Sequence, residues 1–229
     1  MLVTTEKNWD AHVIHAEEIA RGRGFHELRD QIVQLAAPQP GETAVDVGAG
    51  TGLLSLALAE RGLRVWAIDI APGMCDYLRA KAVSAGLSSV EIAVGSAVSL
   101  PLVDGCADVV VSNYCLHHLS HDDKQRALLE VRRVLRPGGR FVFGDMMFTL
   151  ALGNPRDRRV VSEKVRAMAR RGPAGFLRLA KNGARLATGR WERPARADWW
   201  RAALEEAGFT NVTVRLMNHE GGIASATRP

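Results

Sequence analysis

Hydrophobic and polar positions follow two different periods along the chain. Over residues 8–36 the apolar residues Leu28, Ile32 and Leu35 recur at helical spacing, and Gly22-Arg23-Gly24 interrupts the pattern, which predicts two helices. After this region, short and nearly continuous apolar runs predict strands over residues 43–47, 63–68, 90–94, 107–111 and 140–144. Segments with helical character separate them, over residues 53–60, 71–85 and 123–135. This alternation predicts a doubly wound α/β fold, with a mostly parallel sheet covered on both faces.

The C-terminal part of the chain is organised differently. Residues 155–188 form a basic helical stretch, in which Val161, Val165 and Met168 are spaced to share one helix face, as are Phe176, Ala180 and Ala184. A helix over residues 198–207 follows, and the turn Glu220-Gly221-Gly222 predicts a terminal antiparallel hairpin. We expect one domain with four parts: N-terminal helices (1–38), a core (40–147), a basic helical insertion or lid (153–195), and a last helix with the hairpin (196–229).

Composition excludes several classes of protein. The chain has 229 residues, 47% hydrophobic and 24% charged, which is typical of a globular domain and not of collagen-like, coiled-coil or disordered chains. No apolar run approaches the roughly 18 residues of a membrane-spanning helix, and the first residues lack the apolar region of a secretory signal, so we expect a cytoplasmic protein. Three cysteines without a CxxC pair predict neither a disulfide framework nor a zinc site, and we expect no metal.

The net charge of +5 is unevenly distributed. Residues 155–201 contain 14 Lys and Arg against 4 Asp and Glu, so this segment carries the basic character of the whole chain. One interpretation is a helical cover over a substrate pocket with its arginines in solvent. The other is recognition of an anionic small molecule or lipid surface. Nucleic acid, DNA or RNA, is disfavoured because few aromatic residues lie among the arginines.

The strongest chemical signal is Asp46-Val47-Gly48-Ala49-Gly50-Thr51-Gly52, a strand that ends in glycines and opens a helix. Glycines let a ligand approach the backbone, and the helix that follows directs free N–H groups at it. A dinucleotide fingerprint would require glycine where Leu53 stands, and a phosphate loop would require a Gly-Lys pair that is absent here. Asp69 ends the second predicted strand, where a carboxylate can accept hydrogen bonds from a ribose diol. The pattern favours an adenosine ligand.

Four motifs in order resemble those of the class I S-adenosylmethionine-dependent methyltransferases. They are Asp46-x-Gly48-x-Gly50-Thr51-Gly52, the acidic Asp69, the stretch from Ser112 to Leu119, and Leu135-Arg136-Pro137-Gly138-Gly139. The likeness is close over residues 40–147 and looser over 198–228, and the nearest pattern is that of the ubiquinone and menaquinone C-methyltransferases. The resemblance implies a Rossmann-like sheet of seven strands in the order 3-2-1-4-5-7-6. It also implies methyl transfer from S-adenosylmethionine to a small organic acceptor, anionic or partly apolar, with S-adenosylhomocysteine as product.

Carried over residue by residue, the resemblance implies a cofactor site. Asp46 would face the amino group of the methionine moiety, Asp69 the ribose hydroxyls, and Ile70 and Met74 the adenine. Ser96 departs from the family pattern, which has an aspartate there to accept from the adenine amino group; a serine accepts without charge. The implied cofactor-binding residues are Asp46, Gly48, Ala49, Gly50, Thr51, Asp69, Ile70, Met74, Ser96, Ala97, Asn113 and Tyr114.

The candidate catalytic residues are His117, His118 and Asp145. Methyl transfer from a sulfonium depends mostly on alignment, and a base with a pKa near 7 helps only with phenol, alcohol or carbon acceptors. A histidine bonded to backbone would equally explain one of the pair. Two further alternatives stay open: a protein of the same fold that binds S-adenosylmethionine without methyl transfer, as a pseudo-enzyme or cyclase, and an RNA-modifying methyltransferase. The sequence leaves the oligomeric state open.

Overall fold

The fold is seen in a computed structural model, which describes residues 10–148, 154–177, 180–181 and 193–229. Its centre is a seven-stranded sheet in the order β3-β2-β1-β4-β5-β7-β6. The first five strands run parallel, and β7 is antiparallel to both β5 and β6. The predicted fold class and strand order are therefore confirmed. The strands are β1 (Thr43–Val47), β2 (Arg64–Asp69), β3 (Val90–Val94), β4 (Ala107–Asn113), β5 (Leu135–Met146), β6 (Thr210–Leu216) and β7 (Gly221–Thr227).

Helices cover both faces of the sheet. They are α1 (Val13–Ala20), α2 (Arg23–Ala36), α3 (Leu53–Ala59), α4 (Pro72–Ser84), α5 (His121–Val134), α6 (Pro155–Ala169) and α7 (Ala197–Glu206), and residues 173–177 are helical as well. One core layer lies between the sheet and α5 and α7, where Trp200 packs against Phe143. The other lies under α2 and α3, where Leu28, Ile32 and Leu58 are fully buried. Because both faces are covered, the strands consist of nearly continuous apolar residues.

Strand β5 begins five residues earlier than the sequence predicts. The sequence predicts a helix up to residue 135 and a strand only from residue 140, yet Leu135 already pairs with Ala107 of β4. The N–H of Gly138 donates to the carbonyl of Arg228 at 2.8 Å, and the N–H of Arg228 donates to Gly139 at 2.9 Å. The glycines thus take part in a pairing with the end of the chain, which no local pattern reveals.

Helix α6 docks through different residues than its apolar spacing predicts. Val165 is 43% exposed, whereas Val160 is buried; Phe176, in the helical segment 173–177 that follows, is 61% exposed. The guanidinium of Arg156 anchors the start of the helix by donating to the carbonyls of Met147 (2.9 Å), Met217 (2.9 Å), His219 (2.6 Å) and Gly221 (2.9 Å). Of the expected apolar face of α6, Val165 is therefore wrong, whereas Val161 and Met168 are half-buried and the anchor at Arg156 and Val160 holds the start of the helix. Ala184 of the second predicted face lies outside the described residues.

Among the residues that the structure describes, no helix combines the length and the apolar character that a membrane crossing requires.

Candidate functional site

A cleft opens at the carboxyl edge of the parallel strands. Its empty volume is about 1140 Å³, counted to the open mouth. Asp46 near the end of β1, Asp69 at the end of β2, Ser96 just after β3 and Asn113 at the end of β4 all line it. The carboxyl ends of parallel strands meet at one edge, where open α/β sheets bind ligands. All twelve residues that the resemblance implied for a cofactor line this single cleft.

The glycine turn after β1 forms the floor of the cleft. Gly48, Gly50 and Gly52 have φ values of +72°, +53° and +89°, a region that side-chain-bearing residues rarely adopt. A Cβ atom at Gly48 would collide with Cys115, and one at Gly52 would collide with Leu78. A Cβ at Gly50 would meet nothing within 4 Å. Two of the glycines therefore permit close packing of the turn, whereas Gly50 leaves open space on the side of the cleft.

Asp69 is bonded to the backbone through both carboxylate oxygens. Oδ2 accepts from the N–H of Gly50 at 2.8 Å, and Oδ1 accepts from the N–H of Ala71 at 2.9 Å. Burial raises the pKa of Asp69, although these backbone N–H groups oppose the shift. Each oxygen of a carboxylate can accept more than one hydrogen bond, so both retain capacity for hydroxyl donors in the cleft. Asp69 thus supports the glycine turn and also faces the ligand side.

Asp46 lies deeper and is almost completely buried. Its Oδ2 accepts from the hydroxyl of Ser55 at 2.6 Å, and Ser55 lies in the first turn of helix α3. Burial raises the pKa of Asp46 to about 7, since removal from water disfavours the charged form. A cationic group in the cleft would favour the ionised carboxylate. The position therefore suits a protonated amine.

Two neutral polar groups also face the cleft. The side-chain oxygen of Asn113 is buried and has no hydrogen-bond partner among the described residues. A buried acceptor of this kind costs free energy until a donor reaches it. The hydroxyl of Ser96 accepts from the N–H of Val98 at 3.3 Å. It keeps its own proton and a second lone pair, so it can still bond a ligand without supplying charge.

An aromatic pair forms part of the wall. Phe25 of α2 and Tyr114 have ring centroids 4.7 Å apart, with the ring planes tilted by 40°. Tyr114 has a φ of +52°, which is unusual for a tyrosine, and its N–H donates to the carbonyl of Gly144 at 2.8 Å. Burial raises the pKa of the Tyr114 hydroxyl, which therefore stays neutral at neutral pH. Strained backbone of this type is retained where the surroundings over-determine it, often at functional sites.

The three candidate catalytic residues have different positions. His118 lines the cleft, whereas His117 and Asp145 lie behind its wall, 3% and 1% exposed. Nδ1 of His117 is 2.5 Å from Oδ1 of Asp145, which also accepts from the N–H of Met146 at 2.7 Å. The rings of His117 and His118 contact each other, with centroids 3.9 Å apart. His117 and Asp145 therefore do not reach the cleft directly but support the ring that does.

A buried lysine fixes the same loop from below. Nζ of Lys124 donates to the carbonyls of Leu119 (2.5 Å) and Arg193 (2.8 Å), and the N–H of Arg193 donates to the carbonyl of His117. Burial lowers the pKa of Lys124 to about 8. The polar framework behind His118 is therefore built from hydrogen bonds between side chains and backbone.

The described residues hold no group of three or more His, Cys, Asp or Glu that could bind a metal ion.

Sequence reasoning missed the part of the wall that comes from the N-terminal helices. Ala16 and Ala20 of α1 line the cleft together with Phe25 of α2. Helical periodicity shows that such segments have a buried face, but it does not show which surface they cover. The remaining lining residues lie within or next to the motifs already described; they are Leu53, Leu54, Gly95, Cys115 and Leu119.

Comparison with known proteins gives the same assignment for the core. Residues 45–143 match the family model described as a methyltransferase domain. The chain is 39% identical over 118 residues to an uncharacterized methyltransferase of Mycobacterium tuberculosis, covering 52% of this chain and 45% of the relative. It is 40% identical over 121 residues to the ubiquinone/menaquinone biosynthesis C-methyltransferase of Acidiphilium cryptum, covering 52% and 48%. The chain thus spans about half the length of these curated relatives.

A solved structure extends the likeness to the whole fold. A S-adenosylmethionine-dependent methyltransferase from Aquifex aeolicus superposes with a TM-score of 0.67 at 19% identity, over 96% of this chain and 98% of that one. The predicted resemblance to a methyltransferase is therefore confirmed by sequence over residues 45–143, and the solved structure shares the fold over nearly the whole chain.

Proposed function

We propose that this chain, whose residues 45–143 match the methyltransferase domain, transfers a methyl group from S-adenosylmethionine to a small organic acceptor. One observation carries the proposal: the twelve residues that the family resemblance implies for the cofactor come from separate strands and loops, yet they line one cleft. When bound, S-adenosylmethionine supplies an electrophilic methyl group on a sulfonium, which an acceptor attacks in line with the departing sulfur. The protein contributes binding, alignment and exclusion of water.

The cleft fits this cofactor at several independent points. The space beside Gly50 would admit a ligand against the backbone, and the buried side-chain oxygen of Asn113 could accept a hydrogen bond from the ligand. Asp69 would accept from the ribose hydroxyls with the lone pairs that its two backbone contacts leave unused. Asp46 would hold the protonated amino group of the methionine moiety, and Ser96 would face the adenine amino group with a neutral acceptor.

The character of the remaining lining supports an uncharged, partly apolar acceptor. Phe25, Tyr114 and Leu119 contribute aromatic and aliphatic surface, and His118 contributes a ring nitrogen. Among the described residues that line the cleft, none is a lysine or arginine. A site for an anionic acceptor would normally present such a cation, because burying an unpaired charge is costly. This observation favours the partly apolar acceptor of the two alternatives that the sequence left open.

His118 is the described group best placed to remove a proton from an acceptor hydroxyl or carbon. Its ring lies at the cleft, and a ring nitrogen of an imidazole can accept a proton from a bound acceptor. His117 and Asp145 act as positioning residues in this proposal, because their buried pair fixes the ring on which His118 packs. Replacing His118 with alanine should lower turnover of hydroxyl or carbon acceptors by about 10²–10⁴-fold, with affinity for S-adenosylhomocysteine nearly unchanged.

Two measurements on the full chain test the proposal. Calorimetry with S-adenosylmethionine and S-adenosylhomocysteine should give heats that fit one site per chain, and the absence of binding by both compounds would refute it. A panel of phenols, quinols, alcohols, amines and thiols is then screened for release of S-adenosylhomocysteine. Release with at least one acceptor supports transfer. Tight binding of S-adenosylmethionine without formation of S-adenosylhomocysteine from any acceptor of the panel would favour the alternative of a binding protein that does not transfer methyl groups.

A further inference from the structure

Helix α1 covers the cleft but contributes little to the core. Ala16 and Ala20 line the cleft, and none of the residues from Val13 to Ala20 is buried. Its large apolar residues Ile14 and Ile19 are 65% and 41% exposed. A helix that buries so little apolar surface has little hydrophobic stabilisation in its docked position. Its attachment must depend on specific polar contacts.

The main polar contact is a junction of three residues from three parts of the fold. Nζ of Lys81, on α4, lies 3.0 Å from Oε2 and 3.2 Å from Oε1 of Glu17, on α1. The same Nζ donates to the backbone carbonyl of Thr51 in the glycine turn at 2.9 Å. The Thr51 side chain also hydrogen-bonds to Glu17. Lys81 therefore joins the covering helix directly to the turn that would hold the cofactor.

The junction is charged and only partly screened by solvent. The side chains of Glu17 and Lys81 are 13% and 31% exposed. Burial alone would raise the pKa of Glu17, but its hydrogen bonds to Thr51 and Lys81 and the charge of Lys81 lower it. Glu17 is therefore ionised at neutral pH. The pair is better shielded than an ordinary surface ion pair, whose contribution is small.

A second tether lies at the start of the same helix α4. Oδ1 of Asp10 accepts from the N–H of Gly73 at 2.7 Å. On the other side of α1, the chain is broken by Arg21 and Gly22 before α2 begins, and α2 is anchored in the core through Leu28 and Ile32. Glu17 on α1 and Asp10 in the short 3-10 turn before it (Asp10–His12) thus both join this segment to α4, while the break at Gly22 provides a pivot. Release of the tethers would let α1 swing without disturbing the core.

We infer that Lys81 is a latch that holds α1 closed over the cleft and so controls how fast the cofactor and its product enter and leave. This inference rests on the proposed function. A ligand under a closed cover enters and leaves only while the cover is open. Loss of the Lys81 cation would increase the open fraction, so that association and dissociation should both become faster. If α1 were instead a static wall of the cleft, loss of the Lys81 contact would change only the rate at which the ligand dissociates.

The test compares the full chain with K81M, E17Q and R79M. Arg79 is the matched control, because it lies on the same helix α4 and pairs with Asp76 at 2.6 Å in an exposed position. Stopped-flow binding of S-adenosylhomocysteine should be about three- to tenfold faster in both directions for K81M and E17Q, and unchanged for R79M. Hydrogen exchange without ligand should be faster over residues 13–20 in K81M, and unchanged there in R79M.

The outcomes separate this inference from the proposed function. Equal rates for the wild type and K81M, or faster dissociation with unchanged association, would overturn the latch while leaving the cofactor site intact. If the wild type binds no S-adenosylhomocysteine, the proposed function fails. Hydrogen exchange then still decides whether Lys81 holds α1, and equal exchange of residues 13–20 in wild type and K81M would overturn that role.

Discussion

Replacing Asp69 with asparagine tests the cofactor site at the residue where structure and ligand binding overlap. The aspartate bonds the N–H groups of Gly50 and Ala71 with its two oxygens, at 2.8 and 2.9 Å. Asparagine has the same shape but only one acceptor oxygen. The substitution therefore removes the negative charge, and the side-chain NH2 group of the asparagine then faces one of the two backbone N–H groups, with which it cannot form a hydrogen bond. Alanine would remove both contacts, and would confuse collapse of the glycine turn with loss of a ligand contact.

The magnitudes follow from the contacts that are lost. A hydrogen bond to a charged acceptor contributes about 1.5–3 kcal/mol, so affinity for S-adenosylhomocysteine should fall about 10- to 150-fold if the ribose bonds to Asp69. Loss of one partly buried backbone contact should lower the free energy of unfolding by about 1–2 kcal/mol. Because burial raises the pKa of Asp69, removal of its charge offsets part of this cost to stability. The effect on binding should exceed the effect on stability.

Calorimetry and urea unfolding measure the two quantities separately. The control is Asp76→Asn, the same substitution at a carboxylate of α4 that is 75% exposed and pairs with Arg79. It should change affinity by less than about twofold, because exposed ion pairs contribute little. An Asp69→Asn protein that binds S-adenosylhomocysteine as tightly as the wild type would refute the assignment of Asp69 to the ribose.

The remaining predictions concern the glycine turn, Asp46 and Ser96. Gly50→Ala should lower cofactor affinity at least about tenfold, because the new Cβ would enter the open space of the cleft, and the φ of +53° should cost about 1–2 kcal/mol of stability. Gly52→Ala should lower the free energy of unfolding further, because its Cβ would collide with Leu78. Thermal unfolding and calorimetry compare them, and the reverse order would contradict the geometry. Burial raises the pKa of Asp46 to about 7, so the folded protein holds this proton more tightly than the unfolded chain, and its contribution to stability should fall as pH rises from about 4 to 7. In urea unfolding, wild type should lose about 2–3 kcal/mol relative to Asp46→Asn between pH 5 and 8, and parallel pH profiles would argue against the shifted pKa. Ser96→Asp should tighten binding of S-adenosylhomocysteine about three- to tenfold by adding a charged acceptor for the adenine amino group, and an unchanged or weaker affinity would place the adenine elsewhere.

Much of the fold could be predicted because its signals are local. The apolar runs that became β1, β2 and β3 were recognised within a residue or two, since buried parallel strands have few polar interruptions. The glycines after β1 indicated a turn that a ligand can approach closely, and all three adopt a positive φ there. The grouping of Asp46, Asp69 and Asn113 in one cleft also followed, because the carboxyl ends of parallel strands share an edge.

The acceptor side could not be predicted in the same way. His117 and His118 are neighbours in the sequence, yet one is buried against Asp145 and the other lines the cleft. Both lie in a single turn of 3-10 helix from Leu116 to His118, and the orientation of this turn depends on contacts from Asp145 and Arg193, which are distant in the sequence.

The order of apolar and polar residues was sufficient to determine which segments form strands and at which edge of the sheet the polar motifs collect. Backbone preferences and burial act on neighbouring residues, so they leave a pattern that can be read along the chain. The tertiary structure alone decided what closes the cleft. Glu17 of helix α1 bonds the side chain of Lys81, 64 residues away, and Lys81 also donates to the backbone carbonyl of Thr51, 30 residues away. Hydrogen bonds between distant residues depend on the packing of whole elements, and no local period records them.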